Sequence, residues 1–130
     1  MTQSPPSPLL KHPAFQGLSE AATTRLANEC SALRFALGQQ LCEPNSIPAR
    51  ILIVLRGQAR LLGEDNGRLT SVGKFGPGSA IGAASLLSGQ PCENVIAADE
   101  VVAVALSDQL WSDLYNAEPS FRDWCDQQLW

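Results

Sequence analysis

The sequence predicts an α+β fold: short antiparallel strands with a helix before them and helices after them. Three observations carry the prediction. Apolar residues alternate with period two from Leu33 onward, glycine-punctuated turns divide that region into short segments, and helical periodicity is confined to the two ends. At 130 residues the chain is long enough for one real core, and 45% hydrophobic with 17% charged residues is ordinary for a folded domain.

The elements follow in chain order. Residues 1–12, with Ser and Pro in the opening stretch, read as a disordered lead-in. Ser19 is a good N-cap for a helix from Glu20 to about Ser31, with Leu18, Ala22 and Leu26 recurring every fourth residue. Leu33, Phe35 and Leu37 alternate along a strand that Gly38 ends, and Gln40 to Glu43 makes a second. Ile51 to Leu55 is an unbroken run of strand formers and the expected centre of the sheet. Gly57 separates it from a strand over Gln58 to Leu62, and Asn66-Gly67 marks a hairpin from which Arg68 to Val72 returns.

Next, Gly76-Pro77-Gly78 is a turn, Ser79 to Ile81 an edge piece, and Ala83 to Leu87 a short helix that Gly89 and Pro91 stop. Unpaired amides at such a helix start favour an anion. Two strands fill Val95 to Leu106 around Asp99-Glu100. Ser107 caps a helix to about Asn116, and Pro119 admits a last helix that runs to Trp130.

Composition excludes several functions. Nine Lys and Arg, scattered against thirteen Asp and Glu, give a net charge of −4, the wrong balance for a nucleic-acid surface. One histidine, His12, without acidic or nucleophilic neighbours in sequence, supplies neither a catalytic base nor a cupin-type metal cluster. No apolar run approaches bilayer length. The four cysteines, Cys30, Cys42, Cys92 and Cys125, form no C-x-x-C pair and follow no signal peptide, so reduced thiols in the cytoplasm are expected.

The stretch from Phe75 to Ala98 resembles the phosphate-binding cassette of the cyclic nucleotide-binding domain superfamily, the β-roll domains of the catabolite activator protein and of protein kinase A regulatory subunits. Phe15-Gln16-Gly17-Leu18, Gly38 and the hairpin Val54 to Leu61 resemble further parts of that domain, so the resemblance spans roughly Phe15 to Leu114. It implies an antiparallel β-roll, a jelly-roll-like double sheet, with a cassette in which Gly82 opens the short helix, Leu86 and Leu87 are its apolar residues, and Pro91 follows it. It also implies a glutamate for the ribose and an arginine for the cyclic phosphate. Those positions hold Ala83 and Cys92. Losing a charge-assisted contact of this kind costs several kcal/mol, with ~1.4 kcal/mol per tenfold in affinity.

The expected organisation is a lead-in (1–12), a cyclic nucleotide-binding-like β-roll (13–118) and a C-terminal helix or linker (119–130). The candidate ligand-binding residues are Gly82, Ala83, Ala84, Ser85, Cys92, Glu93 and Asn94, with Arg60 and Arg68 as auxiliary cations that would replace the lost arginine. No catalytic residue, metal site or cofactor is expected; cyclic AMP or cyclic GMP is the ligand the resemblance implies. The expected role is a non-catalytic regulatory module with impaired or altered ligand binding, on the cytoplasmic side, passing its signal through the C-terminal helices to an effector domain. The N-terminus of a bacterial ATP-binding cassette peptide exporter is the example the resemblance suggests. The rival is a structural domain that dimerises through its Trp-bearing helices.

Overall fold

The architecture comes from a computed structural model, which describes residues 12–42, 49–89 and 94–128. A short 3-10 turn, Pro13–Phe15, leads to α1 (Glu20–Glu29). Eight strands follow: β1 (Ser31–Phe35), β2 (Gln40–Cys42), β3 (Arg50–Arg56), β4 (Ala59–Asp65), β5 (Arg68–Phe75), β6 (Ala80–Ile81), β7 (Asn94–Ala97) and β8 (Val101–Ser107). The short helix α2 (Ala83–Ser88) lies between β6 and β7, and α3 (Asp108–Ala117) and α4 (Pro119–Gln128) close the described chain.

The strands form two antiparallel four-stranded sheets, ordered β1-β8-β3-β6 and β2-β7-β4-β5. Their pairing explains the apolar run of β3. Ile51 and Ile53 belong to the core between the first sheet and the helices, whereas Leu52 and Val54 belong to the core between the two sheets. Alternate side chains point to opposite faces, so a strand buried on both faces reads as a continuous apolar run. Each such buried side chain is worth ~1.5–3 kcal/mol.

The helix caps hold as expected: Ser19 Oγ accepts from the Ala22 N–H at 3.2 Å and Ser107 Oγ from the Leu110 N–H at 3.1 Å. At the hairpin tip, Asn66 and Gly67 both have positive φ, 52° and 79°, the geometry of a type I′ turn.

Several boundaries differ from the sequence reading, among them the end of β4, which runs to Asp65 instead of Leu62. α1 ends at Glu29, and β1 starts at Ser31 instead of Leu33. Ser31 and Ala32 are exposed on an edge strand, so they carry no alternation that a sequence could show. Leu37 is not a strand residue; it is 73% exposed beside Gly38, whose φ of 83° turns the chain. β5 runs on to Phe75, since an edge strand needs hydrogen bonds from one side only and its pattern is correspondingly weak. His12, the last residue of the expected lead-in, is 7% exposed and part of the fold. No helix among the described residues is long and apolar enough to cross a membrane.

Candidate functional site

The cassette is built on β3. Gly78 N–H donates to the Val54 carbonyl at 2.7 Å, Val54 N–H returns a bond to the Ser79 carbonyl at 3.0 Å, and β6 pairs Ala80 with Ile53 and Ile81 with Leu52. The turn Gly76 to Ser79 is closed by the Ser79 N–H on the Gly76 carbonyl at 3.1 Å. Gly82 then takes φ 93°, ψ −11°, a left-handed geometry that glycine enters without steric cost, and starts α2; the Leu86 N–H bonds its carbonyl at 3.0 Å. Gly89, at φ 72°, ends the helix as its left-handed C-cap. Turn, edge strand, glycine and short helix thus stand where the sequence reading places them.

The candidate side chains fare differently. Ala83, in the position that the resemblance gives to a ribose glutamate, has no exposed surface and packs in the helix-side core; Ser85 is half-buried. Ala84 belongs to the backbone of α2. Asn94 heads β7, and its Oδ1 accepts from Gln40 Nε2 of β2 at 2.9 Å. Cys92 and Glu93 lie outside the described residues.

Arg60 is exposed on β4, between the fully buried Ala59 and Leu61, which packs on the inter-sheet core. Period two therefore turns Arg60 to the outer face, opposite Lys74 across the hairpin. Arg68, also exposed, starts β5 at the hairpin tip, opposite Asp65. The sheet pairing brings Asn94 beside β2 and sets the two arginines on other parts of the hairpin.

Sequence reasoning missed His12. Its Nδ1 accepts from the Ala14 N–H at 3.1 Å, which leaves Nε2 as the protonated nitrogen, donating to the Gly78 carbonyl at 2.6 Å. The ring also meets Trp124 of α4 edge-on, with centroids 5.2 Å apart. One side chain thus joins the turn of the cassette to the C-terminal helix. A cavity of about 230 Å³ lies beside it, lined by His12, Pro13, Ile53, Val54, Leu55, Pro77 and Gly78. The sequence signal was the proline after His12, which makes the histidine the N-cap of a 3-10 turn.

The tryptophan helices pack inward. Trp111 and Phe121 are fully buried and meet edge to face at 4.8 Å, and Phe121 stacks on Phe15 at 5.9 Å. Trp130 lies outside the described residues.

The expectation of four reduced thiols is corrected: Cys42 is disulfide-bonded, whereas Cys30 and Cys125 are free. Bond formation depends on which strands pair and bring two thiols within reach, which no cysteine spacing shows. Burial pushes the Cys125 thiol up to about 12, with Asp126 adding to it, and burial also raises Cys30. Among the described residues no group of His, Cys, Asp and Glu is placed to hold a metal ion.

A family model described as cyclic nucleotide-binding domain matches residues 32–118, more than half of the chain. No curated protein matches the chain. Solved structures resemble it at the level of the fold. The regulatory subunit of a cAMP-independent protein kinase A from Trypanosoma cruzi, bound to guanosine, is 21% identical with a TM-score of 0.72, over 92% of this chain and 46% of that one. The N-terminal domain of a transcriptional regulator from Streptomyces coelicolor is 23% identical with a TM-score of 0.72, over 94% of this chain and 90% of that one. The Thermus thermophilus catabolite activator protein is 19% identical with a TM-score of 0.73, over 90% of this chain and 56% of that one. The chain spans about half the length of the kinase subunit it matches.

Proposed function

The chain belongs to the cyclic nucleotide-binding domain family, and we propose that within it this chain is a non-catalytic regulatory module whose pocket takes a ligand without a cyclic phosphate. A purine nucleoside is the class we favour. One observation carries the reading: the cassette backbone is complete from Gly76 to Gly89, while the position that the resemblance gives to the phosphate-binding arginine holds Cys92. Ala83, buried in the glutamate position of that resemblance, removes the carboxylate contact to the ribose as well. The outward placement of Arg60 argues against its standing in for the arginine. The kinase subunit of similar fold bound to guanosine supports the choice, because guanosine has sugar and base but no phosphate.

The signal leaves through α4. His12 touches both the cassette turn and Trp124, so a ligand that moves the turn also moves the contact with the last helix. An effector follows in this reading, a bacterial exporter being the expected example, and the module works on the cytoplasmic side. The dimerisation reading draws less support, since Trp111, Phe121 and Cys125 serve this chain's own core.

Isothermal titration of the full chain with guanosine, cyclic AMP and cyclic GMP tests the proposal. Guanosine binding at micromolar concentration with cyclic AMP at least 100-fold weaker is the expected result. Cyclic AMP binding at micromolar concentration overturns the reading. Cys92→Arg, which restores the phosphate contact that the resemblance implies without touching the buried Ala83, is expected to tighten cyclic AMP by about 100-fold or more. Cys92→Ser controls for loss of the thiol.

A further inference from the structure

The cavity of about 230 Å³ beside His12 is a slot with a buried floor and an exposed rim. Ile53 and Val54 of β3 are buried and Leu55 is half-buried, whereas Pro13 ahead of α1 and Pro77 and Gly78 of the cassette turn are exposed. The slot lies on the helix side of the first sheet: Ile53 belongs to the core between that sheet and the helices, and Leu55 packs against the same cluster.

Its lining is chemically uniform. Among the described residues no charged side chain lines it, and the one polar side chain, His12, has both ring nitrogens engaged, Nδ1 by the Ala14 N–H and Nε2 by the Gly78 carbonyl. An ion would enter without a counter-charge, and a polar group would find no side-chain partner, so both are costly to bury there. An apolar cavity of ~150 Å³ is enough to hold benzene, so this slot has room for one or two fused rings.

We infer that the slot is a second ligand site, separate from the nucleoside pocket proposed above, and that its ligand is a neutral planar aromatic molecule of one or two fused rings. Pro13, Pro77 and the His12 ring suit a flat π-system, because positively polarised C–H groups pack well against its electron-rich face. The site bears on the cassette through one turn. The Gly78 carbonyl accepts from His12 at 2.6 Å, the Gly78 N–H donates to the Val54 carbonyl at 2.7 Å, and the Ser79 carbonyl accepts from the Val54 N–H at 3.0 Å. A ring packed on Pro77 and Gly78 braces that turn against β3, and the turn runs through β6 into Gly82 and α2.

Indole, titrated into the full chain and followed by amide NMR, is the probe. Saturable shifts at Leu55 and Gly78 are expected, with a dissociation constant of about 0.1–1 mM, the range open to a fragment of that size. Indole-3-acetate, the same ring carrying a carboxylate, is expected to bind about tenfold or more weakly. Leu55→Trp fills the slot and should weaken indole about tenfold or more. Pro77→Ser, at an exposed turn position, removes part of the rim and should weaken it about fivefold, and it decides the matter if Leu55→Trp fails to fold.

No saturable shift up to roughly 5 mM, shifts centred on other residues, or unchanged affinity in both variants overturns the site. Equal affinity for indole-3-acetate overturns the ligand class. Guanosine added to the indole complex separates the two pockets: simultaneous binding supports a second site, and competitive displacement overturns it. If guanosine does not bind at all, the nucleoside reading fails and the indole titration still decides this one.

Discussion

The aromatic junction, which packs in one cluster with Ile51 and Ile53, and the cassette, which bonds to Leu52, Ile53 and Val54, both rest on β3, yet they are specified in different ways. The junction is specified by volume. Phe15, Trp111 and Phe121 interlock at ring distances of 4.8 to 5.9 Å, and Trp111 and Phe121 are fully buried. The cassette is specified by backbone: left-handed glycines at 78, 82 and 89 and hydrogen bonds to Val54. Truncating a side chain in the junction removes stability, while changing one in the cassette changes what the backbone presents. A domain of this kind can therefore alter its ligand and keep its fold.

The sharpest break should come from a glycine outside both regions. At Gly57, φ is 85° and an added Cβ would lie 2.2 Å from the Glu100 carbonyl oxygen and 2.8 Å from Asp99 Oδ1. Gly57→Ala displaces backbone, and a loss above ~4 kcal/mol in denaturant unfolding is expected. Phe121→Ala in the junction follows at ~3–5 kcal/mol, without a direct change in the cassette.

His12→Ala sits on the border and tests whether the regions are coupled. It leaves the Gly78 carbonyl without its 2.6 Å partner, so ~1–3 kcal/mol of stability is expected to go. A double-mutant cycle with Trp124→Ala should show non-additivity of ~0.5 kcal/mol or more; strict additivity would separate the regions.

A pH titration of the parent chain beside a Cys125 variant probes the junction. The Cys125 thiol is raised from 9.0 to about 12 in the fold. Below pH 9 both states are protonated; between 9 and about 12 the unfolded chain loses the proton and the folded one keeps it. Stability therefore falls as pH rises through that window, and Cys125→Ala should flatten the fall relative to the parent chain.

Ser85→Ala, in the cassette, should move the unfolding free energy by less than ~0.5 kcal/mol while weakening ligand, the inverse of Phe121→Ala. The smallest effect is expected from Arg25→Ala on the helix surface. Its bonds to Glu29 and Asp113, both 2.6 Å, lie in solvent, and no measurable change in Tm is expected, although the Asp113 carboxyl, held low by Arg25, would titrate closer to its ordinary range.

Much of this was written in local chemistry. Ser19 and Ser107 announce their helices because a side-chain oxygen satisfies an amide two or three residues on, and Asn66-Gly67 announces its hairpin because both residues tolerate positive φ. Ile51 to Val54 announces a strand buried on both faces, and Gly82 and Gly89 bracket the short helix. These are properties of a residue and its near neighbours, so they survive in a bare sequence. The long-range partners do not. That Gly78 meets His12, that Asn94 meets Gln40, and that Cys42 stands opposite Val95 all depend on which strands pair and in what register. The sequence by itself determined the elements and their order. Only the tertiary structure decided that Arg60 faces outward, that His12 is a buried link and that Cys42 is bonded, because each is settled by contacts between residues tens of positions apart.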